Sequence, residues 1–328
     1  MPAAPSLGLW CLFLLLCVLS NRAALAYARH RQLLDMPDSA RRSHQVATPR
    51  GGGSGIVASL FVGMMWLATM VEAPMPVLLS TSGALLLVGG VGWWDDHRPL
   101  PAVFRLGVHL LAGVLVALAL HLSGASLAWC LLALLVVPMG INLWNFMDGI
   151  NGLVTLQVGL FALCASWLMD SLVWSSLAAM LGIAVFSFLP LNFPRARIFL
   201  GDVGSGSLGL MVAVVWLFGA IESTIPAICA LILPLLPILV DSLFTIVWRI
   251  SRRQHLLQAH AEHLYQKAVR HGYPHWQVTG IYALVSLALI LAAAGVQRLP
   301  PLLAVAITLL ICTGCVAAWM FARLRCYR

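Results

Sequence analysis

The stretch SLAWCLLALLVVPMGINLWNFMDGING, residues 126–152, joins an apolar run to a cluster of Asn, Asp and Gly. Its apolar part, near 126–143, approaches the roughly 20 residues that a helix needs to cross a bilayer. A backbone in hydrocarbon must satisfy its own hydrogen bonds, and the run shows no alternating barrel pattern, so we predict a transmembrane helix. The polar cluster after it then lies at the membrane edge.

Similar apolar blocks recur along the chain. The residues are 61% hydrophobic and 9% charged, and the mean hydropathy is +0.96, whereas water-soluble domains carry about a quarter charged residues. We therefore predict an all-α, polytopic integral membrane protein with about eleven transmembrane helices in one membrane-embedded domain over 1–328. The blocks lie near 7–27, 55–72, 76–93, 103–121, 126–143, 152–169, 173–190, 205–221, 224–247, 277–296 and 301–322.

The basic residues predict the orientation. With the N-terminus outside, nearly all Lys and Arg fall in loops on the cytoplasmic side and in a cytoplasmic C-terminus, as the positive-inside rule requires; Arg298 is the clear exception. The net charge of +8 therefore indicates orientation and phosphate affinity, and argues against a nucleic-acid partner. The first block resembles a signal peptide but has no positive n-region, and we interpret it as an uncleaved helix. The long cytoplasmic loops are 28–54 and 248–276.

Asp95 and Asp96 end the third block on the predicted cytoplasmic side. Burying a carboxylate near a membrane edge costs several kcal/mol unless it is paired or bound to a cation. Two adjacent carboxylates therefore suggest a functional site. The pair alone leaves open a solvated helix terminus in which Asp96 pairs with Arg98.

Asn142, Asn145 and Asp148 follow the fifth block at a spacing of three, which places them on one face of a helical turn. Amide and carboxylate oxygens suit a hard cation such as Mg²⁺, which usually keeps phosphate and water among its ligands. The alternative interpretation is ordinary turn chemistry between two spans.

Asp202 lies among glycines at the start of the eighth block. Backbone N–H groups at a helix N-terminus favour anions, and Asp202 can hold a metal that offsets the charge of a diphosphate. Phe199, three residues upstream, is placed to stack on a base or to pack against the protein. A second glycine run, 51–53, lets backbone N–H groups approach a phosphate closely.

The last long loop is rich in basic residues. We predict that its residues 256–271 form an amphipathic helix that lies along the membrane surface. Asp241 in the ninth block either lines a cavity or hydrogen-bonds a neighbouring helix, and the sequence does not separate these readings. The loop's candidate phosphate clamp consists of His263, Arg252, Arg253 and Arg270.

These ordered motifs resemble those of the polyprenyl-phosphate N-acetylhexosamine-1-phosphate transferases, bacterial glycosyltransferase family 4. That superfamily includes the GlcNAc-1-phosphate transferases and the phospho-MurNAc-pentapeptide translocase. The matching segments are Asp35-Met-Pro with Arg41 and His44, Thr48-Pro-Arg50-Gly-Gly-Gly53, Asp95-Asp96, Asn145-Phe-Met-Asp148-Gly-Ile-Asn151-Gly152 and Phe199-Leu-Gly-Asp202-Val-Gly-Ser205.

The resemblance implies an Mg²⁺-dependent phosphoglycosyl transferase in the bacterial inner membrane, with its active site facing the cytoplasm and Mn²⁺ as an alternative ion. It would move a sugar 1-phosphate from a UDP-N-acetylhexosamine to undecaprenyl phosphate and release UMP. The implied roles are metal ligation by Asn145 and Asp202; uracil contacts by Asn151 and Phe199; substrate binding by His44 and Arg50; and catalysis by Asp95, Asp96, Asp148 and His263.

One departure narrows the expected branch. Where many members carry His-x-His-His, this chain has His260-Ala-Glu-His263-Leu-Tyr265-Gln266, so only His263 is retained. That form resembles enzymes that start O-antigen chains with 6-deoxy sugars such as N-acetylfucosamine or N-acetylquinovosamine, and it argues against the peptidoglycan translocase. The exact sugar and the oligomeric state, a homodimer included, stay open.

Three other functions remain as alternatives at this stage. The chain is alternatively a GlcNAc or MurNAc-pentapeptide member of the same superfamily, a secondary transporter for an anionic solute, or a scaffold of a polysaccharide export complex. A transporter would hold its polar residues near the bilayer midplane, often with inverted repeats, whereas these clusters lie at the inner rim and no repeat is evident.

Overall fold

The computed structural model describes residues 5–35, 47–70, 74–254 and 261–326, and its architecture is helical. Two short antiparallel strands, β1 (Leu34–Asp35) and β2 (Thr48–Pro49), pair Leu34 with Pro49. The helices are α1 Leu7–His30, α2 Gly53–Met70, α3 Met75–His97, α4 Ala102–Leu122, α5 Leu127–Met147, α6 Leu153–Leu168, α7 Leu172–Asn192, α8 Gly201–Ile221, α9 Ile225–Ile232, α10 Leu236–Ser251, α11 Leu264–Arg270, α12 His275–Val296 and α13 Pro301–Arg325.

The all-α, polytopic membrane fold is confirmed. Nine helical segments of the described chain are long and apolar enough to cross a bilayer, with α9 and α10 forming one of them, and α2 and α6 are shorter apolar helices. Each predicted block coincides with one of these segments, while the number of spans and their orientation stay predictions. The ninth block is not one continuous helix, because a 3₁₀ turn at Leu233–Leu235 separates α9 from α10. Pro234 and Pro237 lack the N–H that a continuous helix needs there.

Helix α8 is the core of the bundle, and most of its residues are buried. Glycines bring the neighbouring backbones close to it. A methyl group on Gly53 of α2 would lie 2.0 Å from Cα of Gly204, and one on Gly92 of α3 would lie 2.5 Å from the Val203 nitrogen. A methyl group on Gly209 would meet the Gly140 carbonyl of α5 at 2.5 Å. Side chains larger than hydrogen are therefore excluded at these crossings.

The peripheral helices expose apolar faces. Few residues of α13 are buried, and the side chain of Leu302 is 84% exposed. Faces of this size on a polytopic protein are suited to contact with lipid. The first helix, α1, nevertheless packs on α7 through a buried polar contact, in which Nδ2 of Asn21 donates to Oγ of Ser187 at 2.9 Å.

The two long loops differ from the prediction in detail. Helix α1 continues to His30 and α2 begins at Gly53, so both enter the predicted 28–54 loop. In the second loop the predicted helix over 256–271 is wrong within the described residues, because α11 covers only Leu264–Arg270. Its Tyr265 is 1% exposed, so α11 packs into the protein through this side chain. Residues 36–46 and 255–260, which include His44 and His260, lie outside the described residues.

Candidate active site

The three sequence motifs meet at one end of the bundle. Asp95 and Asp96 are at the C-terminal end of α3, Asn145 is at that of α5, and Asp202 is in the first turn of α8. Asn145 and Asp202 line one cavity of about 410 Å³. The polar residues around it are Arg105, His109, Asn142, Asn145, Asp202, His263 and Gln266, and the apolar ones include Val88, Val91, Val103, Leu106 and Ile141.

Asp96 caps the N-terminus of α8. Its two carboxylate oxygens accept hydrogen bonds from the backbone N–H of Asp202 at 3.1 Å and of Val203 at 3.2 Å. It is 3% exposed, and its backbone oxygen accepts a bond from the guanidinium of Arg50. The alternative of a solvated helix terminus in which Asp96 pairs with Arg98 is therefore wrong.

Two predictions are wrong: that the backbone N–H groups at the N-terminus of α8 bind a phosphate, and that those of the glycine run 51–53 do so. The two α8 N–H groups that favour an anion bind the Asp96 carboxylate, because a helix N-terminus attracts the nearest negative charge. In the glycine run 51–53, the N–H groups of Gly52 and Gly53 donate to the carbonyls of Phe199 and Leu200. The run therefore fastens α2 to the segment before α8.

Arg105 bridges two acidic residues. Its Nη1 lies 3.0 Å from Oδ2 of Asp95 and 2.6 Å from Oδ2 of Asp202. The Asp95 side chain is 15% exposed and that of Asp202 is 32% exposed. Asp95 also accepts the Leu100 N–H at 2.6 Å. We call Asp95, Asp202 and Arg105 the rim cluster; it combines two carboxylates with one cation.

Asn145 and Asp148 add oxygen atoms beside the rim cluster. Nδ2 of Asn145 donates to Oγ of Ser205 at 3.0 Å, and the side chain also hydrogen-bonds the Asp202 carboxylate. Burial raises the pKa of the Asp148 carboxyl well above its ordinary value, and the negative charges of Asp202 and Asp96 raise it further. The region therefore holds more negative charge than its arginines offset.

The donor set fits a hard divalent cation. Carboxylate and amide oxygens are the ligands that Mg²⁺ prefers, with water and phosphate completing its shell, and the excess negative charge would be relieved by such an ion. Among the described residues no three His, Cys, Asp or Glu side chains form a metal-binding group. Asn145 and Asp202 stay the predicted ligands.

His263 borders the same cavity from the last loop. It is 1% exposed and forms the N-cap of α11, where its backbone N–H donates to Oε1 of Gln266 at 3.2 Å. Burial lowers the pKa of its imidazole below the ordinary value, which favours the neutral ring.

Asp241 proves to be a structural anchor for α11. It is 1% exposed and does not line the cavity, so the structure supports the second of the two readings of this residue. Its carboxylate accepts five hydrogen bonds, from the N–H groups of Leu264 and Tyr265, Oγ1 of Thr245, Nε1 of Trp319 and the hydroxyl of Tyr282.

The proposed uracil contacts lie on neighbouring loops and do not line the cavity. Nδ2 of Asn151 donates to the Pro194 carbonyl at 3.1 Å, and the backbone oxygen of Asn151 accepts from Thr279 at 2.8 Å. The backbone N–H of Phe199 donates to the Pro49 carbonyl at 2.7 Å. Both residues therefore adjoin the connection between α7 and α8, next to the start of the helix that carries Asp202.

The predicted arginine clamp does not assemble at the cavity. Arg252, Arg253 and Arg270 are exposed and are not among the cavity-lining residues. The Arg252 guanidinium lies over the Trp248 ring, 4.7 Å from its centroid. Phosphate binding by these arginines stays a prediction, as does that by His44, which lies outside the described residues.

Comparison with known proteins assigns the family. The sequence profile described as glycosyl transferase family 4 matches residues 78–220, which contain Asp95, Asp96, Asn145, Asp148 and Asp202. A phospho-N-acetylmuramoyl-pentapeptide-transferase of Moorella thermoacetica is 30% identical over 292 residues, covering 79% of this chain and 87% of that protein. The chain belongs to glycosyl transferase family 4.

Other relatives are named for a different sugar. A probable undecaprenyl-phosphate N-acetylglucosaminyl 1-phosphate transferase of Bacillus subtilis is 26% identical, covering 74% of this chain and 71% of that protein. A decaprenyl-phosphate N-acetylglucosaminephosphotransferase of Mycobacterium tuberculosis is 30% identical, covering 59% of this chain and 53% of that protein. The family is thus shared by enzymes that differ in sugar.

Arg105, His109 and Gln266 line the cavity of this family 4 chain, but the sequence analysis gives none of them a role in the site. Arg105 counts there only among the basic residues that predict the orientation. Its position was a usable signal, because a cation in the first turns of a helix opposes the helix dipole and needs a compensating partner. Gln266 stands three residues after His263, which is the spacing of a capping box.

Proposed function

We propose that this family 4 chain transfers an N-acetylated hexosamine 1-phosphate from a UDP-sugar to undecaprenyl phosphate and releases UMP. The observation that carries the proposal is the cavity of about 410 Å³, in which Asn145, Asp202 and Arg105 face a wall of Val, Leu and Ile side chains. A charged rim suits a diphosphate, and an apolar wall beside it suits the first isoprene units of a lipid. Relatives named as N-acetylglucosamine phosphate transferases that act on undecaprenyl phosphate and decaprenyl phosphate support the pairing of a lipid phosphate with a sugar phosphate.

Asn145 and Asp202 would hold Mg²⁺, or Mn²⁺ in its place. When bound, the ion would neutralise charge on the diphosphate and stabilise UMP as a leaving group. The chain itself fixes these two oxygen donors. Asn145 is held by its hydrogen bond to Ser205. Asp202 is held by its place in the first turn of α8 and by its ion pair with Arg105.

The reaction is a displacement at phosphorus. An oxygen of the lipid phosphate bonds to the phosphorus that carries the sugar, and the bond from that phosphorus to the bridging oxygen breaks, so UMP leaves with the bridging oxygen. A phosphate monoester has a second pKa of about 6, by analogy with phosphorylated side chains, so the acceptor is mostly ionised at neutral pH. We therefore favour direct attack, in which residues act mainly by positioning and electrostatics.

Asp95 and Asp96 then have separate tasks. Asp96 holds α8 in place through two backbone N–H groups, whereas Asp95 faces Arg105 and is half-buried near the cavity. Asp95 is the member of the pair that we assign to the lipid phosphate and its remaining proton. Asp148 adds a carboxyl group beside the rim, and a cation bound there would relieve the repulsion that raises its pKa.

The nucleotide end is assigned to the connection between α7 and α8. Because Nδ2 of Asn151 is used by the Pro194 carbonyl, its side-chain oxygen is the group that would accept the uracil N–H. Phe199 would stack on the uracil ring. His44, Arg50 and the exposed arginines Arg252, Arg253 and Arg270 are proposed to attract the phosphates before they reach the rim.

The sugar is proposed to be a 6-deoxy N-acetylhexosamine that begins an O-antigen or related polysaccharide. Its support is the His263-Leu-Tyr265-Gln266 sequence, because Gln266 lines the cavity while Tyr265 is buried with its hydroxyl donating to the Phe146 carbonyl at 3.0 Å. Gln266 thereby offers a neutral amide to a substrate in the cavity. The site would face the cytoplasm of a bacterial inner membrane, as the placement of Lys and Arg predicts.

The decisive experiment supplies the purified full chain with undecaprenyl phosphate, MgCl₂ and a panel of UDP-sugars. The panel includes UDP-GlcNAc, UDP-N-acetylfucosamine, UDP-N-acetylquinovosamine and UDP-MurNAc-pentapeptide. We expect UMP release and a lipid product whose mass equals undecaprenyl diphosphate plus a 6-deoxy N-acetylhexosamine. Transfer of MurNAc-pentapeptide or GlcNAc alone would contradict the sugar assignment, and no UMP release with any donor would contradict the proposed reaction.

A further inference from the structure

We infer that His109 donates a hydrogen bond to a phosphate oxygen of the lipid acceptor, and that Asn142 is the positioning residue that fixes its proton for this purpose. The inference rests on the proposed function, because it names how one substrate is held in the same cavity. Its evidence is the hydrogen bond between Asn142 of α5 and His109 of α4, a residue that no sequence motif includes.

The hydrogen bonds of Asn142 determine which nitrogen of His109 carries the proton. Nδ2 of Asn142 lies 2.7 Å from the Pro138 carbonyl oxygen and 3.1 Å from Nδ1 of His109. A carbonyl oxygen only accepts, so the atom facing it must be the amide NH₂. The same NH₂ meets His109, whose Nδ1 is therefore the acceptor, and the ring proton resides on Nε2.

That Nε2–H is available to the cavity. His109 is 9% exposed and lines the cavity, and in the described part of the chain its ring is hydrogen-bonded to Asn142 through Nδ1. Buried polar groups in folded proteins are almost always paired. A neutral donor on the wall of a cavity therefore indicates an acceptor atom on the ligand.

The depth of His109 favours the lipid acceptor over the nucleotide sugar. It lies one helical turn, about 5.4 Å, beyond Arg105 in α4 and is followed by apolar lipid-spanning residues. Around it the cavity wall is formed by Val88, Val91, Leu106 and Ile141. A hydroxyl-rich sugar would lose hydration there without compensation. A lipid phosphate fits better, because its phosphate would accept the hydrogen bond and its isoprene chain would contact the apolar side chains.

The outer edge of the cavity supports the same assignment. Val103 and Leu106 line it and are 74% and 43% exposed on the side of the bundle. An apolar rim of this kind lets a lipid enter sideways from the bilayer. The phosphate would then bridge the Arg105 region and the Nε2–H of His109, with its chain leaving past Leu106.

A neutral donor also suits the chemistry. A cation at this position would withdraw charge from the phosphate oxygen that must attack, whereas an imidazole N–H orients the group and leaves its charge largely intact. Hydrogen bonds to charged groups contribute enough that losing one weakens binding by about tenfold or more.

The test measures KM for undecaprenyl phosphate and for the UDP-sugar that the wild type accepts, together with binding of undecaprenyl phosphate and undecaprenol to the protein in nanodiscs. The variants are His109→Ala, His109→Gln, which restores a neutral N–H donor, and Asn142→Leu, which keeps the ring but frees its tautomer. His121→Ala is the matched control, because His121 is exposed at the other end of α4.

We expect His109→Ala to raise KM for undecaprenyl phosphate and weaken its binding by about tenfold, with KM for the UDP-sugar and binding of undecaprenol unchanged. His109→Gln should recover most of the loss, Asn142→Leu should show a smaller increase, and His121→Ala should match the wild type. A KM change confined to the UDP-sugar, or no change in any of the three variants, overturns the inference while leaving the reaction intact. A wild type that binds both lipids equally and releases no UMP rejects the proposed function and this role together.

Discussion

Two carboxylate sites near the same end of the bundle are built in opposite ways. Asp241 is 1% exposed and accepts hydrogen bonds from two backbone N–H groups, a threonine, a tyrosine and a tryptophan. In the rim cluster, Asp95 and Asp202 share the single guanidinium of Arg105 and keep part of their surface open.

The difference separates structural from functional acidic residues. Five donors use the accepting capacity of the Asp241 carboxylate, so it has little left for a ligand, and the loop that it holds depends on it. The rim cluster has more negative charge than cation, an open cavity beside it and oxygens from Asn145 in reach. An acidic residue in a membrane protein is thus better classified by its partners than by its burial.

The largest effect is expected from Asp202→Asn. The substitution keeps the shape but removes the charge proposed to hold the metal, so UMP release should fall by about 100-fold or more. The melting temperature should change little, because Asp202 is partly exposed and Arg105 retains Asp95. Asp170→Asn is the control, since Asp170 is exposed beyond α6 at the opposite end of the bundle. Full activity of Asp202→Asn would show that the rim cluster is no more functional than the structural carboxylate of Asp241.

Asp241→Ala should show the converse pattern. It leaves several buried donors without an acceptor, each of which costs about 1–3 kcal/mol, so we expect a loss of several kcal/mol in unfolding free energy. Thermal or denaturant unfolding in detergent measures it, with Asp202→Asn compared in the same assay. Lowering the assay temperature should recover part of the UMP release that Asp241→Ala loses, because the folded fraction rises. It should not recover the UMP release that Asp202→Asn loses. A variant as stable as the wild type would contradict the anchoring role.

A smaller effect concerns Asp148 and pH. Its pKa is raised in the folded protein, so the folded state binds this proton more tightly than the unfolded chain and the charged form destabilises the fold. In protein freed of divalent cations, Asp148→Asn should therefore melt above the wild type at neutral pH. The gap should shrink as the pH falls from the raised pKa toward the ordinary value near 3.8. Melting curves of both proteins measured between these limits check the sign, and a gap that grows on acidification would contradict it.

The sequence predicts the fold better than it predicts the pairing of polar groups. Long apolar blocks determine helices because the bilayer leaves the backbone no other partner, and the eleven blocks all coincide with apolar helices. Their ends were less certain, as α1 and the break at Leu233–Leu235 demonstrate. The motifs identified Asn145 and Asp202 as neighbours of one cavity, because each stands at a helix end on the same side.

Contacts between distant parts of the chain were beyond the sequence. Nothing near Asp96 in the chain indicates that it caps α8, more than 100 residues later, and glycines that suggested phosphate binding serve backbone contacts instead. Arg105 and His109 were missed because a single Arg or His in an apolar helix carries no motif. Only the folded chain reveals that Arg105 meets Asp202 and that His109 meets Asn142.

The glycine crossings around α8 have a consequence for turnover. Since the backbones of α2, α3 and α5 touch α8 with no room for a methyl group, the helix that carries Asp202 has no space to slide or rotate during a catalytic cycle. The entropy of arranging that ligand is therefore spent during folding, before any substrate arrives. Movement that admits a substrate or frees a product has to come from parts of the cavity wall outside these crossings.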